Sequence, residues 1–318
     1  MKSPVFLKSG LKRLTYSTFD LFRSLRLKKL IIWVAIAECR VLRSGFYSYI
    51  YSYCYQHEEF GLCDHLMEQY IPLLGRLPAR RSGKQQEIQG ASEDELKESM
   101  RKFFEATDAA GFKPFIAFGT LLGYAREKKF IPWDRDLDIG LFYDDTDIEA
   151  LVRTLRKAGF IITEYTGKEF PCKIKCRLKA HPPVDIVFFK KEGEKLLTFG
   201  RLGNGSSIIR ERSPFELTNA TFYDVAVRIP EHPETFLTEN YGDWKTPRNI
   251  YNYILDSKLT DYNSPGVRYL ARTIFLRHLR ENNRKAITYY LNLFIEKQPE
   301  DPIWAVIKKN LNEHKYLY

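Results

Sequence analysis

Cysteine is scarce in this sequence of 318 residues, and its pattern argues against a disulfide-stabilised fold. The five cysteines are an odd number without a repeated short spacing, which favours reduced thiols in a cytosolic compartment. Cys172 and Cys176 precede His181, but three candidate ligands at this spacing do not make a standard zinc finger. The sequence therefore disfavours a zinc site there.

Long apolar runs are also missing. The most apolar early stretch, residues 30–37, is shorter than the roughly 20 residues that a helix needs to cross a bilayer. It also starts too late, and lacks a clear small-residue cleavage site, for a secretory signal. We therefore expect a cytoplasmic protein, which could also attach peripherally to the inner face of the membrane.

Positive charge is concentrated at the N-terminus. The formal net charge is +10, and residues 1–84 hold fourteen Lys and Arg against six Asp and Glu. A basic segment rich in Phe, Leu, Trp and Tyr suits an anionic membrane surface. The same pattern suits a pair of core-packing helices with solvated cations, so both interpretations stay open for residues 1–85, a predicted basic helical region.

Several common catalytic motifs are absent. There is neither a Walker A sequence nor a Gly-x-Gly-x-x-Gly loop, so a nucleotide would have to bind in another manner. The histidines are scattered, and local spacing supports no Ser-His-Asp or Cys-His arrangement. Nucleophilic catalysis of that kind is disfavoured.

The residues that are present predict a mixed α/β (α+β) core over residues 86–255. A helix begins after Ser92, where Glu95 completes a capping box, and it ends at Gly111. Apolar periodicity also predicts helices from Ile148 and from Pro233, and a mostly helical region over residues 256–318 that packs on the core. The predicted strands span residues 115–118, 136–142, 160–163, 173–178, 184–189, 196–199 and 221–229.

Three acids form the candidate metal site. On a strand, Asp136 and Asp138 would lie on one face, where unpaired like charges are unfavourable and a divalent cation with oxygen ligands relieves them. Asp185 interrupts an otherwise apolar strand, and it joins the site if the two strands are neighbours. The alternatives are a solvated acidic loop paired with Arg126 or Arg135, and for Asp185 a buried ion pair with Lys or Arg.

A turn of small residues precedes these acids. Gly119, Thr120 and Gly123 follow a predicted strand and open a helix, an arrangement in which backbone N–H groups bind phosphate. Arg126 follows closely enough to add positive charge. The alternative for Arg126 is an ion pair with Asp134 or Glu127.

A row of cations follows further along the chain. Lys173, Lys175 and Arg177 alternate on one face of a predicted strand. They could line a channel for an anionic substrate, although such a row is more often the solvated edge of a sheet.

Residues 119–126 and 130–139 together resemble the signature of the LicD family, which includes bacterial phosphocholine transferases and the fukutin-related proteins. A second block, Pro230 to Pro233 followed by Tyr241 to Pro247, resembles the family's later Tyr-Gly-Asp-Trp segment. The resemblance covers residues 92–250, about half of the chain.

The resemblance implies a nucleotidyltransferase-like core. In it, Gly119 and Thr120 correspond to the Gly-Ser/Thr turn, Asp136 and Asp138 to the metal-binding pair, and Asp185 to the third carboxylate. Family members move a phospho-alcohol, such as phosphocholine or ribitol phosphate, from a CDP-linked donor to a sugar hydroxyl.

We therefore expect a phosphotransferase that depends on Mg²⁺ or Mn²⁺ and acts on a cell-surface glycan or its lipid-linked precursor. Asp136, Asp138, Asp185 and Arg126 are its expected catalytic residues. One alternative is a nucleotidyltransferase that adds a nucleoside monophosphate to RNA, a sugar phosphate or a protein. Another is a non-catalytic component of a glycan-synthesis complex. Nucleic acid is not the expected partner.

Overall fold

The computed structural model contains two compact units. It describes residues 64, 67, 68, 92–166, 173–201, 207–248, 250–281 and 283–314. Residues 85–261 make up one unit, and residues 262–318 belong to the other. The helical region predicted over residues 1–85 lies outside the described residues apart from positions 64, 67 and 68, so membrane contact through it stays a prediction.

The first unit is a mixed α/β fold, as predicted. Its described helices are α1 (Glu93–Ala109), α2 (Phe118–Glu127), α3 (Ile148–Lys157) and α4 (Pro233–Tyr241). Its described strands are β1 (Phe115–Ile116), β2 (Leu137–Phe142), β3 (Phe160–Thr166), β4 (Lys173–Leu178), β5 (Pro183–Glu192), β6 (Lys195–Arg201), β7 (Ser207–Arg212), β8 (Leu217–Phe222) and β9 (Val225–Pro230).

Seven of these strands form one sheet with β5 at its centre. The order runs β1-β2-β5-β4-β3, and the last residues of β5, from Phe189 to Glu192, pair with β6, which in turn pairs with β7. The β2–β5 pair is parallel, whereas the other described pairs are antiparallel. Strands β8 and β9 form a separate antiparallel hairpin.

Apolar periodicity located most of these strands correctly. The prediction gave β4 its observed bounds, and it found β3, β5 and β6 with shorter ones. It missed β7, and it joined the end of β8 to most of β9 in one strand over residues 221–229. In the structure the chain turns at Tyr223, whose φ of 54° lies in the left-handed region. A tyrosine is an uncommon residue for that conformation, so the turn at this position was not predicted.

The helix boundaries show what local signals do and do not specify. Helix α1 begins after Ser92 as predicted, but the Ser92 side chain makes no capping hydrogen bond, so the expected capping box is wrong. Gly111 follows the helix with a φ of 83°, which favours glycine. Helix α2 begins at Phe118, which was predicted to end the preceding strand, and this places Gly119 and Thr120 in its first turn.

Aromatic side chains fill the core on one side of the sheet. Five phenylalanine rings contact one another at centroid distances from 5.2 to 6.1 Å. They are Phe115, Phe142, Phe189, Phe215 and Phe236. A Cβ at Gly140 would lie 2.2 Å from the Phe115 ring, so glycine is needed on β2 for the ring to pack there.

The second unit is helical in its described part, as predicted. It contains α5 (Pro265–Glu281), α6 (Arg284–Lys297) and α7 (Ile303–Glu313). The buried Trp304 donates its Nε1–H to Gln298 Oε1 at 2.8 Å, and Gln298 Nε2 donates to the carbonyl of Tyr262 at 2.9 Å. Among the helices described in either unit, none is long and apolar enough to span a bilayer.

Candidate active site

The three predicted metal ligands come together at one end of the β2–β5 pair. Asp136 directly precedes β2, Asp138 is in β2, and Asp185 is in β5. Because the two strands are parallel neighbours, Asp138 and Asp185 are direct register partners. One carboxylate oxygen from each of the three residues lies within 4.8 Å of the others. The strand pairing that the sequence left open is therefore present.

The first turn of α2 holds Asp138 in place. The Gly119 N–H donates to Asp138 Oδ2 at 2.8 Å, and the N–H of Asp138 donates to Thr120 Oγ1 at 2.9 Å. A Cβ at Gly119 would lie only 2.9 Å from the Oδ2 atoms of both Asp134 and Asp138. Glycine is thus required for the carboxylates to approach the backbone, and its N–H binds a carboxylate of the protein itself.

Asp134 is a fourth acid at this site, in addition to the three predicted ligands. Burial, followed by repulsion from Asp136, raises the pKa of Asp134 from 3.8 to about 7. The alternating acids at positions 134, 136 and 138 were the available signal. An acid spaced two residues from a predicted ligand is a candidate for the same site.

The electrostatics of the cluster favour a bound cation. Burial and repulsion from Asp185 raise the pKa of Asp136, and burial together with repulsion from Asp136 and Asp134 raises that of Asp138 well above its usual range. A hard divalent cation would relieve this repulsion, and carboxylate oxygens are the ligands that Mg²⁺ prefers. The residues present therefore fit the predicted cation.

Asp185 also contacts two lysines. Lys173 forms an ion pair with its Oδ2, and Lys175 Nζ lies 3.1 Å from its Oδ1. The buried ion pair considered for Asp185 thus coexists with its place beside Asp136 and Asp138. Strand β4, which carries the lysines, lies between β3 and β5, so the solvated-edge interpretation of this row of cations is wrong.

Gly123 and Arg126 lie differently from what a phosphate-binding turn requires. A Cβ at Gly123 would lie 2.4 Å from the carbonyl oxygen of Lys129, so this glycine allows close packing of the following loop. Arg126 donates from Nε to the carbonyl of Trp244 at 2.5 Å and from Nη2 to the carbonyl of Thr246 at 3.4 Å. Neither acid considered as its ion-pair partner is engaged, and Arg126 instead ties α2 to the segment that follows α4.

A cavity of about 500 Å³ opens beside the carboxylates, a volume typical of small-molecule sites. Its wall combines the acids of the cluster with two cations and several tyrosines. Among the residues that line it are Asp134, Asp136, Asp138, Asp185, Lys173, Arg210, Tyr241, Tyr251 and Tyr253. The tyrosines and Arg210 were missed as site residues, because they follow the part of the sequence where strand periodicity weakens.

A second cavity, of about 330 Å³, shares part of this wall. Gly119, Asp134, Tyr241 and Tyr251 line both cavities. The second cavity adds Arg126 and two tryptophans, Trp133 and Trp244. The arrangement can therefore accommodate two ligands that meet near Asp134.

Residues 111–232 match the family described as LicD/FKTN/FKRP, nucleotidyltransferase domain. This chain carries a LicD-family domain. The matched residues include Asp136, Asp138 and Asp185 and therefore the whole carboxylate cluster. They end before the block from Tyr241 to Pro247, which lines the second cavity.

The relatives of this LicD domain include ribitol-5-phosphate transferase FKTN of Mus musculus, which is 28% identical over 44% of this chain and 31% of FKTN. An uncharacterised protein of Rickettsia prowazekii (strain Madrid E) is 25% identical over 64% of this chain and 69% of that protein. The chain thus matches about a third of the length of FKTN. Among solved structures, the chain is similar to lincomycin-bound LnuA, a lincosamide antibiotic adenylyltransferase, with a TM-score of 0.32. The two are 13% identical over 46% of this chain and 85% of LnuA. A similarity that low supports no conclusion.

Proposed function

We propose that this protein is a transferase that moves a phospho-alcohol from a CDP-linked donor to a hydroxyl group of a glycan or its lipid-linked precursor. The observation that carries the proposal is that Asp136, Asp138 and Asp185 meet beside a cavity of about 500 Å³ within a LicD-family domain. The relatives named ribitol-5-phosphate transferases support a phospho-alcohol as the transferred group.

Mg²⁺ or Mn²⁺ is the proposed cofactor, held by Asp136, Asp138 and Asp185 through one oxygen each. When bound, the cation would supply positive charge to the diphosphate of the donor and polarise the phosphorus under attack. The separation of the three oxygens, within 4.8 Å, and the raised pKa values of Asp136 and Asp138 support this assignment.

The remaining residues of the site bind and orient the reactants. The acceptor hydroxyl oxygen forms a bond to the distal phosphorus of the donor, the bond from that phosphorus to CMP breaks, and CMP leaves. The acceptor hydroxyl loses its proton as the new bond forms, and a carboxylate has to accept that proton. Asp134 is better placed than Asp185 for this role. Asp134 lies where the two cavities meet, whereas Asp185 is paired with two lysines.

Asp138→Asn tests this proposal. The amide oxygen can still accept the hydrogen bond from Gly119 N–H, so the variant should fold while losing one negative charge of the site. Because a metal-assisted step loses several kcal/mol when the metal is lost, we expect divalent-dependent CMP release from CDP-ribitol or CDP-choline to fall at least about a thousandfold. Coupled enzymatic detection of CMP provides the measurement.

The matched control for this variant is Asp224→Asn. Asp224 is an exposed carboxylate on the turn between β8 and β9, where it pairs with Arg101. We expect its replacement to leave CMP release near the wild-type rate. Wild-type turnover in the folded Asp138→Asn protein would rule out the proposed site.

A second candidate function is transfer of a nucleoside monophosphate from CTP to RNA, a sugar phosphate or a protein. The description of the matched family as a nucleotidyltransferase domain favours considering it. Incubation with CTP labelled at the α-phosphate separates the two reactions, since only nucleotidyl transfer moves that label to the acceptor and releases pyrophosphate. No turnover with either donor, in protein that still binds divalent cations, would favour a non-catalytic component of a glycan-synthesis complex.

A further inference from the structure

Strand β7 places two arginines on its buried face. Arg210 and Arg212 are 6% and 3% exposed, whereas Ile209 beside them is 49% exposed. Successive side chains of a strand point to opposite faces, so this strand turns an isoleucine to water and its cations inward. Burying a cation without a paired charge is unfavourable, so each buried arginine needs a partner that offsets its desolvation.

The surroundings of Arg212 offset its buried charge, although its Nε and Nη1 make no hydrogen bond to the described residues. Its guanidinium lies 4.6 to 5.6 Å from the ring centroids of Phe236, Phe189 and Phe118. It also donates from Nη2 to Asn240 Oδ1 at 3.3 Å. Cation–π contacts and a side-chain hydrogen bond together give Arg212 a structural role in the core.

Arg210 lies near one aromatic ring, whereas Arg212 lies near three. Its Nη1 donates to the carbonyl of Tyr253 at 3.3 Å, and its guanidinium lies 5.7 Å from the Tyr253 ring centroid. Its buried Nε makes no hydrogen bond, and none of the described carboxylates lies within ion-pair distance of it. Burial lowers the pKa of Arg210, as expected for a desolvated cation.

The Arg210 side chain also lines the cavity that contains the carboxylate cluster. A guanidinium offers several N–H donors in a planar fork that matches two oxygens of a phosphate. In addition to the acids, the cavity wall therefore contains a buried cation whose Nε makes no hydrogen bond within the described part of the chain. Arg126, the arginine expected from the sequence to bind phosphate, instead donates to two backbone carbonyls and does not line this cavity.

We propose that Arg210 binds a phosphate group of the donor inside this cavity. Such a ligand would supply the negative charge and the acceptor atoms that Arg210 lacks within the described part of the protein. Only the identity of the ligand as a CDP-linked donor rests on the proposed function. The anion site itself follows from the burial and bonding of Arg210, whichever phosphate compound enters.

The test is titration calorimetry of the full-length protein with two probes, CDP and inorganic pyrophosphate. Arg210→Gln removes the charge but keeps an N–H donor for the Tyr253 carbonyl. We expect it to weaken the binding of pyrophosphate, and of CDP if CDP is bound, by about tenfold or more, as for loss of a hydrogen bond to a charged group. Arg210→Lys should restore part of that affinity, because it retains the charge without the fork.

Arg212→Gln is the matched control on the same strand. It should lower the melting temperature through lost cation–π contacts, yet leave pyrophosphate affinity within about twofold in protein held below its transition. Because Arg210 makes few contacts, Arg210→Gln should have the opposite profile, with affinity lost and the melting temperature nearly unchanged. Loss of affinity in both variants to the same extent would overturn the inference.

The outcomes also separate this inference from the proposed function. If pyrophosphate binds and Arg210→Gln weakens it while CDP does not bind, the anion site stands and the CDP-linked donor is wrong. If CDP binds equally well to wild type and Arg210→Gln, the inference fails and the donor assignment survives. Failure of both probes to bind wild-type protein also overturns the inference.

Discussion

Replacing Gly119 with alanine should disturb the carboxylates of the site while leaving the fold in place. The added methyl carbon would lie 2.9 Å from the Oδ2 atoms of Asp134 and Asp138, whereas ordinary contacts begin near 3.4 Å. The two carboxylates would therefore have to move away by about 0.5 Å. Catalytic groups have to stay within roughly 0.5 Å of their productive positions, so this shift is large enough to matter. A misplacement of about 1 Å can cost about a hundredfold in rate, so we expect turnover to fall by about ten- to a hundredfold.

The stability of Gly119→Ala should change little. The crowded atoms are the free ends of two side chains, which can move without moving the backbone. Alanine also favours a helix over glycine by up to about 1 kcal/mol, which partly offsets the crowding. We expect the melting temperature to stay within about 3 °C of the wild type, since about 1 kcal/mol shifts a unit of this size by about 2 to 4 °C.

Gly123→Ala is the matched control in the same helix. Its Cβ would lie 2.4 Å from the backbone oxygen of Lys129, so relief requires the loop itself to move. Overpacking of this kind costs about 1 to 3 kcal/mol, which should lower the melting temperature by several degrees. CMP release and scanning fluorimetry on both variants provide the measurements. Full turnover in Gly119→Ala, or the same loss of stability in both variants, would refute the reasoning.

Two further predictions concern stability. Without a divalent cation, burial and repulsion from Asp136 raise the pKa of Asp134 to about 7. Between about pH 4 and pH 7 this carboxyl therefore holds a proton in the folded state more often than in the unfolded state. The free energy of unfolding then falls as the pH rises through this range. Melting temperatures in EDTA should therefore be lower at pH 8 than at pH 5, and an equally steep profile in Asp134→Asn would contradict this. In the helical unit, Gln298→Leu removes the side chain that binds the Trp304 indole N–H and the Tyr262 carbonyl. Urea denaturation should therefore show a free energy of unfolding lower by about 2 to 4 kcal/mol. A decrease below about 1 kcal/mol would show that these hydrogen bonds contribute little.

Local sequence patterns specified the strands that carry the acids. Alternation around Asp138 and the apolar run around Asp185 were enough to place both residues on strands. Their proximity depends on the parallel pairing of β2 with β5, which the intervening residues of α3, β3 and β4 make possible. No local pattern encodes which strands become neighbours, so the prediction could only state the site as a condition on that pairing.

The surroundings of the acids were harder to predict, because long-range contacts determine them. Nothing near Arg126 in the sequence indicates that its donors bind the carbonyls of Trp244 and Thr246. The cations of β4 were expected either to line a channel or, more commonly, to form a solvated edge, since the pattern of a strand does not show how many neighbours it has. Arg210 and Arg212 alternate with Ile209 and Glu211, and only the burial of each face shows that the arginines point inward.

The parallel register between Asp138 and Asp185 also has a consequence for the order of folding. The two residues are far apart in the chain, and parallel pairing requires that the whole crossover between them be closed first, which is slow for contacts of high sequence separation. A cation held by both residues would then bind only after the central strands have joined. Such a ligand stabilises contacts that are absent from an early folding nucleus, so it should slow unfolding and leave the folding rate almost unchanged.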